Sequence, residues 1–210
     1  MEFEFFKSII SEISSKNLGG IDAQFKLAPK IRQPYSEELI KLKNPKKAAV
    51  LALFYPDKFN ETHILLTKRA SYNGTHSAQI SFPGGKYDKQ DITLKNTAIR
   101  ETNEEIGIPV NDIVIFKEMT NVFIPPSNFL VTPYLAYLKE EPSFVKNHEV
   151  ETLIEVSLTN FLSETCISST IITTSYAKEM HVPCFKLNDY IVWGATAMML
   201  SEIRDLFKKI

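Results

Sequence analysis

The sequence lacks several features that would place it in common classes of protein. It has only two cysteines, Cys166 and Cys184, and they form no CxxC pair, so neither a disulfide framework nor a cysteine zinc site is expected. Its four histidines are scattered without an HxH or HExxH pattern, which argues against a histidine metal site. No run of about 18 apolar residues is present, so the sequence predicts no membrane span.

Neither sign of charge dominates the chain. Lys and Arg number 24 and Asp and Glu number 25, which gives a net charge of −1. This balance provides no electrostatic case for binding nucleic acid, although a local basic patch would suffice for a phosphorylated small molecule. The N-terminus, MEFEFFKSII, is acidic and lacks the apolar region of a signal peptide, so we expect a cytoplasmic protein.

What the sequence does contain is an unusually acidic end to a helix. Residues 84–108 read GGKYDKQDITLKNTAIRETNEEIGI, a glycine turn and an acidic loop before a helix that ends with Glu101, Glu104 and Glu105. Acidic side chains are unfavourable at a helix C-terminus, where the macrodipole is negative, and they repel one another at spacings of one turn. The cluster therefore indicates an offsetting cation, and carboxylate oxygens suit Mg²⁺ or Mn²⁺.

Helical geometry predicts that two of these carboxylates lie together. At about 100° per residue, Glu101 and Glu105 are about 40° apart at the edge of the apolar stripe of the helix, and Glu104 lies further out. Gly107 and Pro109 are expected to end the helix. A solvated acidic helix end is the ordinary alternative, but the apolar flank and the upstream glycine turn argue against it.

This stretch resembles the signature of the Nudix hydrolases, in which Gly, five residues, Glu and seven residues precede Arg-Glu-U-x-Glu-Glu-x-Gly-U, with U apolar. The tail agrees over residues 100–108, with Thr102 at the first U. The front differs, because Asp91 replaces the Glu and eight residues separate it from Arg100. Asp with one extra residue, preceded by Phe-Pro-Gly-Gly at residues 82–85, is similar to the coenzyme A pyrophosphatase branch of the family.

A second stretch is similar to the same branch. Residues 65–85 read LLTKRASYNGTHSAQISFPGG and match the branch's Leu-Leu-Thr-x-Arg-Ser/Ala motif and its Phe-Pro-Gly-Gly end with the correct spacing. The chain departs at Gly74, where the motif has Arg, and at Ala78, where it has Gly. A guanidinium is a favoured bidentate phosphate ligand, so its loss matters for phosphate recognition. The neighbouring candidates for phosphate binding are Lys68, Arg69 and His76.

The expected fold is α/β, because the predicted strands are interleaved with two long helical stretches that would cover a mixed sheet. The resemblance implies a Nudix α/β/α sandwich over residues 46–210, with residues 1–45 as an N-terminal helical extension packed on that domain. The aromatic face of the helix predicted over residues 3–15 also allows a contact in a homodimer, and the sequence leaves these alternatives open. The turn at residues 124–128 is interpreted as a hairpin connection, with a substrate-facing role as the alternative. Trp193 is interpreted as a packing residue, with stacking on adenine as the alternative.

Three further elements are predicted from local signals. Residues 23–45 are expected to be irregular apart from one short helix at residues 36–43. A hairpin is predicted around Asn188 and Asp189, and the last helix from Gly194 onward.

The family resemblance also implies a division of roles within the site. Glu101, Glu105 and Glu104 would hold the ion, with help from the carbonyl group of Gly84 or Gly85. The ion would also draw on one further carboxylate, either Glu149, which is preferred, or Glu151. The candidate bases are Glu104 and any glutamate that the ion leaves unoccupied. Arg100 is expected to point away from the carboxylate pair and to brace the loop through Asp91, and the backbone at Gly84 to approach the substrate phosphates.

The implied partner is a small nucleotide substrate. By resemblance it is coenzyme A or an acyl derivative, cut to 3′,5′-ADP and 4′-phosphopantetheine. Because Gly74 and Ala78 depart from the branch motif, a Nudix pyrophosphatase for ADP-ribose, NADH or another dinucleotide is a second reading. A non-catalytic Nudix domain that binds a nucleotide is a third, although such a domain would be expected to have lost its metal carboxylates.

Overall fold

The computed structural model of the chain describes residues 1–70, 79–173 and 179–208. Its α-helices are α1 Phe3–Ser15, α2 Gly20–Phe25, α3 Glu37–Leu42, α4 Leu94–Ile106, α5 Leu158–Leu162 and α6 Gly194–Phe207. Its strands are β1 Lys46–Pro56, β2 Thr62–Arg69, β3 Ile80–Ser81, β4 Gly84–Lys86, β5 Val114–Glu118, β6 Val122–Ile124, β7 Phe129–Tyr137, β8 Val150–Ser157, β9 Ile167–Ile172, β10 Met180–Leu187 and β11 Tyr190–Trp193. Short 3₁₀ turns occur at Pro125–Ser127 and Glu164–Cys166.

The strands form one mixed sheet and one small antiparallel sheet. In the larger sheet the main order is β3-β2-β1-β7-β5, and β4, β6 and β8 pair with β1, β7 and β2 respectively. Strands β1 and β7 run parallel from Lys46↔Phe129 to Phe54↔Tyr137, whereas the other pairings are antiparallel. The smaller sheet has the order β11-β10-β9. The long β1 strand is therefore the centre on which the site is built.

Successive residues of β1 face two different layers of the core, because side chains alternate across a strand. Ala49 and Leu51 pack against α4, which buries Ala98 and Ile106 on that face. Ala48 and Phe54 belong to the second core cluster, on the face that carries α1 and α6. The chain thus forms an α/β/α sandwich, as the sequence predicted.

The N-terminal helix is part of this second core. Phe6 is fully buried, and its ring lies 5.1 Å from that of Phe54 and 6.2 Å from that of Phe207, so α1 packs between β1 and α6. The first helix, the acidic helix and the last helix match the elements predicted for residues 3–15, for the acidic stretch and from Gly194 onward. The division of the chain at residue 45 stays a prediction.

A buried carboxylate ties α2 to α6. Glu202 is 1% exposed and accepts hydrogen bonds from the Gly20 backbone N–H, the Gln24 amide and the Thr120 hydroxyl. Three donors satisfy the charge, as a carboxylate inside a protein requires. Helix α2 had been predicted as irregular chain, so this attachment was missed. No helix in the described part of the chain is long and apolar enough to cross a membrane.

Candidate active site

Local sequence signals set the ends of the acidic helix α4. At its start the Thr93 side chain accepts a hydrogen bond from the Asn96 N–H, which is a standard N-cap. At its end Gly107 adopts a left-handed conformation with φ 75°, and the Asn103 amide donates to the Ile108 carbonyl. The predicted stop at Gly107 is confirmed. Glu101 and Glu105 therefore both lie in the last two turns of the helix.

Both carboxylates lie directly against the glycine strand β4. The Gly84 N–H donates to Glu105 Oε2 at 3.0 Å. At Gly85, a Cβ atom would lie 2.4 Å from Glu101 Oε2, so only glycine leaves room for that carboxylate. Because β4 pairs with β1 through Ala49↔Gly85, the glycine backbone that contacts the two carboxylates is held against the central strand.

Burial makes the two carboxylates weak acids. Glu105 is 4% exposed, and loss of hydration raises its pKa to about 7, with the Gly84 hydrogen bond and the Arg69 charge acting in the opposite direction. Burial also raises the pKa of Glu101, against the effect of the Arg100 hydrogen bond. The charges of Glu101 and Glu149 contribute to the raised pKa of Glu105. The group therefore carries negative charge at a cost that a bound cation would relieve.

Arg100 binds the loop that precedes α4. Its Nε and one terminal nitrogen donate to the two oxygens of Asp91, each at 2.9 Å, so the predicted contact with Asp91 is confirmed. The same guanidinium also donates to Glu101 at 2.9 Å and to Glu104 at 3.1 Å. The prediction that Arg100 points away from the carboxylate pair was therefore wrong, because a long side chain reaches well beyond the helical angle of its own Cα.

We expect Asp91→Asn to lower the free energy of unfolding by about 2 kcal/mol at neutral pH, the range for hydrogen bonds to charged groups. Arg100 holds the pKa of Asp91 below its usual range, so this stabilisation is present at neutral pH and is lost as the pH falls below about 4. Urea unfolding at pH 7 and pH 3 measures it. Exposed Asp112→Asn is the control, and an equal loss at both pH values would contradict the assignment.

The charged side chains of Arg69 and Glu149 lie near the pair formed by Glu101 and Glu105. Arg69 lies 3.7 Å from Glu105 and 3.2 Å from Glu149, and its Nε has no hydrogen-bond partner among the described residues. Lys68 instead bonds to Glu151 at 2.5 Å. The structure therefore brings Arg69 and Glu149 to the acidic pair. Lys68 and Glu151 are not among the described residues that line the cleft.

The remaining predicted site residues lie in different places. Glu104 is 52% exposed, is held by Arg100 and is not among the described residues that line the cleft. Gly84 and Gly85 both line it. His76 falls outside the described residues.

The cleft has a volume of about 1330 Å³, and its floor includes Ala48 and Val50 of β1. The carboxylates Glu101, Glu105 and Glu149 lie among its lining residues. Its two ends are walls that the sequence indicated only in part. One combines N-terminal residues, which sequence reasoning missed, with the turn at residues 124–127, for which a substrate-facing role had been the less favoured alternative. The other includes Trp193, which had been interpreted as packing. No periodic signal marks such surfaces, because they form from segments that are distant in sequence.

The side chains around the acidic pair suit a divalent cation only in part. Across residues 1–70, 79–173 and 179–208, no three His, Cys, Asp or Glu side chains are gathered as a ready metal site. Arg100 and Arg69 instead lie against the oxygens of Glu101 and Glu105. The chemistry still fits, because Glu101 and Glu105 both lie against the glycine strand β4 and offer carboxylate oxygens, which hard cations prefer.

The α/β/α fold and the acidic helix beside a glycine strand are features of a class of protein that comparison with known sequences also identifies. Residues 45–166 match the NUDIX domain model, which is more than half of the chain. The chain belongs to the Nudix family.

Particular relatives are similar over much of the chain. It is 33% identical over 155 residues to the peroxisomal coenzyme A diphosphatase ndx-8 of Caenorhabditis elegans, covering 72% of this chain and 64% of that protein. It is 31% identical over 144 residues to the uncharacterised Nudix hydrolase NudL of Yersinia pestis strain Pestoides F, covering 68% and 71%. The chain thus spans just under two thirds of the worm protein.

A solved structure shares the fold. The Nudix hydrolase RenU of M. smegmatis superposes with a TM-score of 0.56 at 17% identity, covering 88% of this chain and 94% of that one. At this identity the likeness concerns the fold alone.

Proposed function

We propose that the protein hydrolyses the pyrophosphate linkage of a nucleoside diphosphate derivative with the help of Mg²⁺ or Mn²⁺. The observation that carries this proposal is the pair of half-buried Glu101 and buried Glu105, which lies against Gly84 and Gly85 in a large cleft. Burial makes the negative charge of these two carboxylates costly, and a bound cation would relieve that cost. The reaction needs such a cation site in a cleft wide enough for a nucleotide.

The chain's own residues would divide the work. Glu101 and Glu105 would hold the cation, which when bound neutralises phosphate charge and lowers the pKa of a water molecule. Arg69, whose Nε has no hydrogen-bond partner among the described residues, would orient a phosphate oxygen. Water attacks phosphorus, the bridging P–O bond breaks, and the water proton passes to a carboxylate of the cluster. For Glu104 to accept that proton, its contact with Arg100 would first have to break.

The substrate we favour is coenzyme A or an acyl derivative, cut to 3′,5′-ADP and 4′-phosphopantetheine. Support comes from the branch motifs at residues 65–70 and 82–91 and from the worm relative that is named as a coenzyme A diphosphatase. Because Gly74 and Ala78 depart from the branch motif, ADP-ribose and NADH are kept as the second candidates. Both residues lie outside the described part of the chain. A cytoplasmic location and a homodimer stay predictions.

Product analysis tests this assignment. We expect purified protein with Mg²⁺ or Mn²⁺ to convert coenzyme A to 3′,5′-ADP and 4′-phosphopantetheine, as measured by chromatography with mass detection. Dephospho-coenzyme A, ADP-ribose and NADH are run in parallel, and chelation of the metal should stop the reaction. Faster turnover of ADP-ribose or NADH would keep the chemistry and reject the coenzyme A assignment. No turnover of any of the four would favour a nucleotide-binding module.

A further inference from the structure

Residues 29–35 of the N-terminal extension, hereafter the arm, form one wall of the cleft. Ile31 and Tyr35 of the arm line the same cleft as the acidic pair, together with Pro125 and Pro126 from the 3₁₀ turn after β6. The arm has no helix or strand of its own, and it lies 59 or more residues before the acidic helix α4 in sequence. A surface shared by two such distant segments is a candidate for ligand recognition.

The arm is anchored to β6 rather than loosely placed. The Tyr35 ring meets the Phe123 ring edge-on, with centroids 5.2 Å apart, and the Arg32 guanidinium donates to the Phe123 carbonyl. The Lys43 ammonium lies 5.6 Å from the centre of the Tyr35 ring. Although the arm is anchored in this way, the Ile31 residue remains 66% exposed. An apolar side chain that is held in place but uncovered offers a surface to a ligand.

The chemistry of this wall suits a flat heteroaromatic ring. Tyr35, Phe129 and the two prolines offer flat apolar faces of the kind on which bases stack. The Ser127 hydroxyl lines the cleft and has no hydrogen-bond partner among the described residues, so it can bond to the polar edge of a base. Lys86 and Arg32 add positive charge to the cleft lining, which favours a ligand that carries phosphates.

The opposite wall has a different character. It is formed by Met180 of β10, Ile191 and Trp193 of β11, and Met199 of α6. Of the described residues on this wall, none carries a charge. Flexible methionine side chains suit a flexible, uncharged group better than a charged nucleotide.

We infer that the wall formed by the arm and the 3₁₀ turn holds the adenine base of the substrate, with the phosphates extending from it toward Glu101 and Glu105. The inference rests on the proposed function only in taking an adenosine diphosphate derivative as the substrate. Coenzyme A, ADP-ribose and NADH all contain adenine, so the inference does not depend on which of them is preferred.

Binding of AMP to the full chain, measured by calorimetry without turnover, tests the inference. Tyr35→Ala should weaken AMP binding about tenfold, the scale of one lost base–aromatic contact, and Tyr35→Phe should restore it. Ile31→Ala should weaken it less, without affecting folding, because the side chain is exposed. Ribose 5-phosphate, which lacks the base, should bind equally to all variants. Leu42→Ala, 81% exposed and also in the extension, is the matched control.

Several results would overturn the inference. They are a wild type that does not bind AMP, Tyr35→Ala and Ile31→Ala variants that bind it normally, or losses of equal size for ribose 5-phosphate. A loss of AMP binding in Trp193→Ala instead would place the base on the opposite wall. Failure of the proposed hydrolysis is a separate outcome, because a protein that binds AMP through the arm but cleaves no pyrophosphate would leave this inference intact.

Discussion

Glu105→Gln is expected to reduce metal-dependent hydrolysis at least about a hundredfold and, at the same time, to stabilise the metal-free protein. The loss of activity follows from the loss of an anionic oxygen in the pair that would hold the cation. The gain in stability follows from the burial of Glu105, which makes its negative charge costly when no cation is present. A glutamine has nearly the same shape, and its oxygen can still accept the hydrogen bond from Gly84.

The sign of the stability effect depends on pH. Burial raises the pKa of Glu105 to about 7, whereas a glutamate in the unfolded chain has a pKa of about 4.3. Between these values the unfolded state loses its proton first, so the free energy of unfolding decreases as the pH rises through that range. Well above pH 7 the full cost, about 4 kcal/mol, is present. Glu105→Gln cannot ionise, so this decrease should be missing from the variant.

Unfolding by urea in the presence of a chelator, at pH 5 and at pH 8, measures this effect, and turnover is followed separately with Mg²⁺. The variant should be more stable than the wild type at pH 8 and nearly equal to it at pH 5. Glu141→Gln, in an exposed loop, makes the same chemical change away from the cleft and should alter neither property. A variant that unfolds more easily than the wild type at pH 8 would contradict the assigned cost of the buried charge.

The two neighbouring glycines are expected to fail in different ways when replaced by alanine. Gly84 has φ 144°, and a Cβ atom there would lie 2.4 Å from the Ala49 carbonyl oxygen and 2.6 Å from the Val50 Cα. Both contacts are with the backbone of the central strand, which cannot move aside. Gly84→Ala should therefore lower the free energy of unfolding by about 3 kcal/mol or more, a large share of the stability of an ordinary domain.

At Gly85 the obstacle is a side chain. A Cβ atom would lie 2.4 Å from Glu101 Oε2 and 2.5 Å from its carboxyl carbon, at the far end of a side chain that can rotate away. Gly85→Ala should therefore fold with nearly normal stability but displace Glu101 from its position against β4. We expect a large loss of turnover and a higher metal concentration for half-maximal activity.

Thermal unfolding and turnover of the two variants, compared with the wild type, distinguish these outcomes. Gly20→Ala is a useful reference, since Gly20 also has a positive φ, 62°, but no atom lies within 4 Å of a Cβ built there. It reports the cost of the backbone conformation without a clash. If Gly84→Ala and Gly85→Ala lost stability equally, the distinction between backbone and side-chain contact would be wrong.

The parts of the structure that could be predicted are those with local signals. The acidic helix ends at Gly107 because only a left-handed residue closes it there, and the hairpin turns at Asn188 and Asp189, both with positive φ, as predicted. The adjacency of Glu101 and Glu105 follows from helical spacing. Helix α2 was missed because it is short, begins at a glycine and is stabilised by Glu202, a residue distant in sequence.

The parts that could not be predicted depend on distance in space. Nothing local links Ile31 and Tyr35 to the cleft, because their place depends on contacts with β6 that form only in the folded chain. The contacts of Arg100 were only half predicted, because helical angles locate a Cα and not the end of a long side chain. Glu149 was chosen by family likeness, and only the folded chain brings it within reach of Arg69.

The buried carboxylate of Glu202 has a consequence for where the chain can be shortened. A chain that began at residue 46 would lose Gly20 and Gln24, two of the three donors of Glu202, and would remove Phe6 from between Phe54 and Phe207. Helix α6 itself lies beyond the stretch that matches the family. We therefore expect a chain shortened to residues 46–210 to be much less stable than the full chain, although it would keep every carboxylate of the cleft, because α1 and α2 both pack against α6.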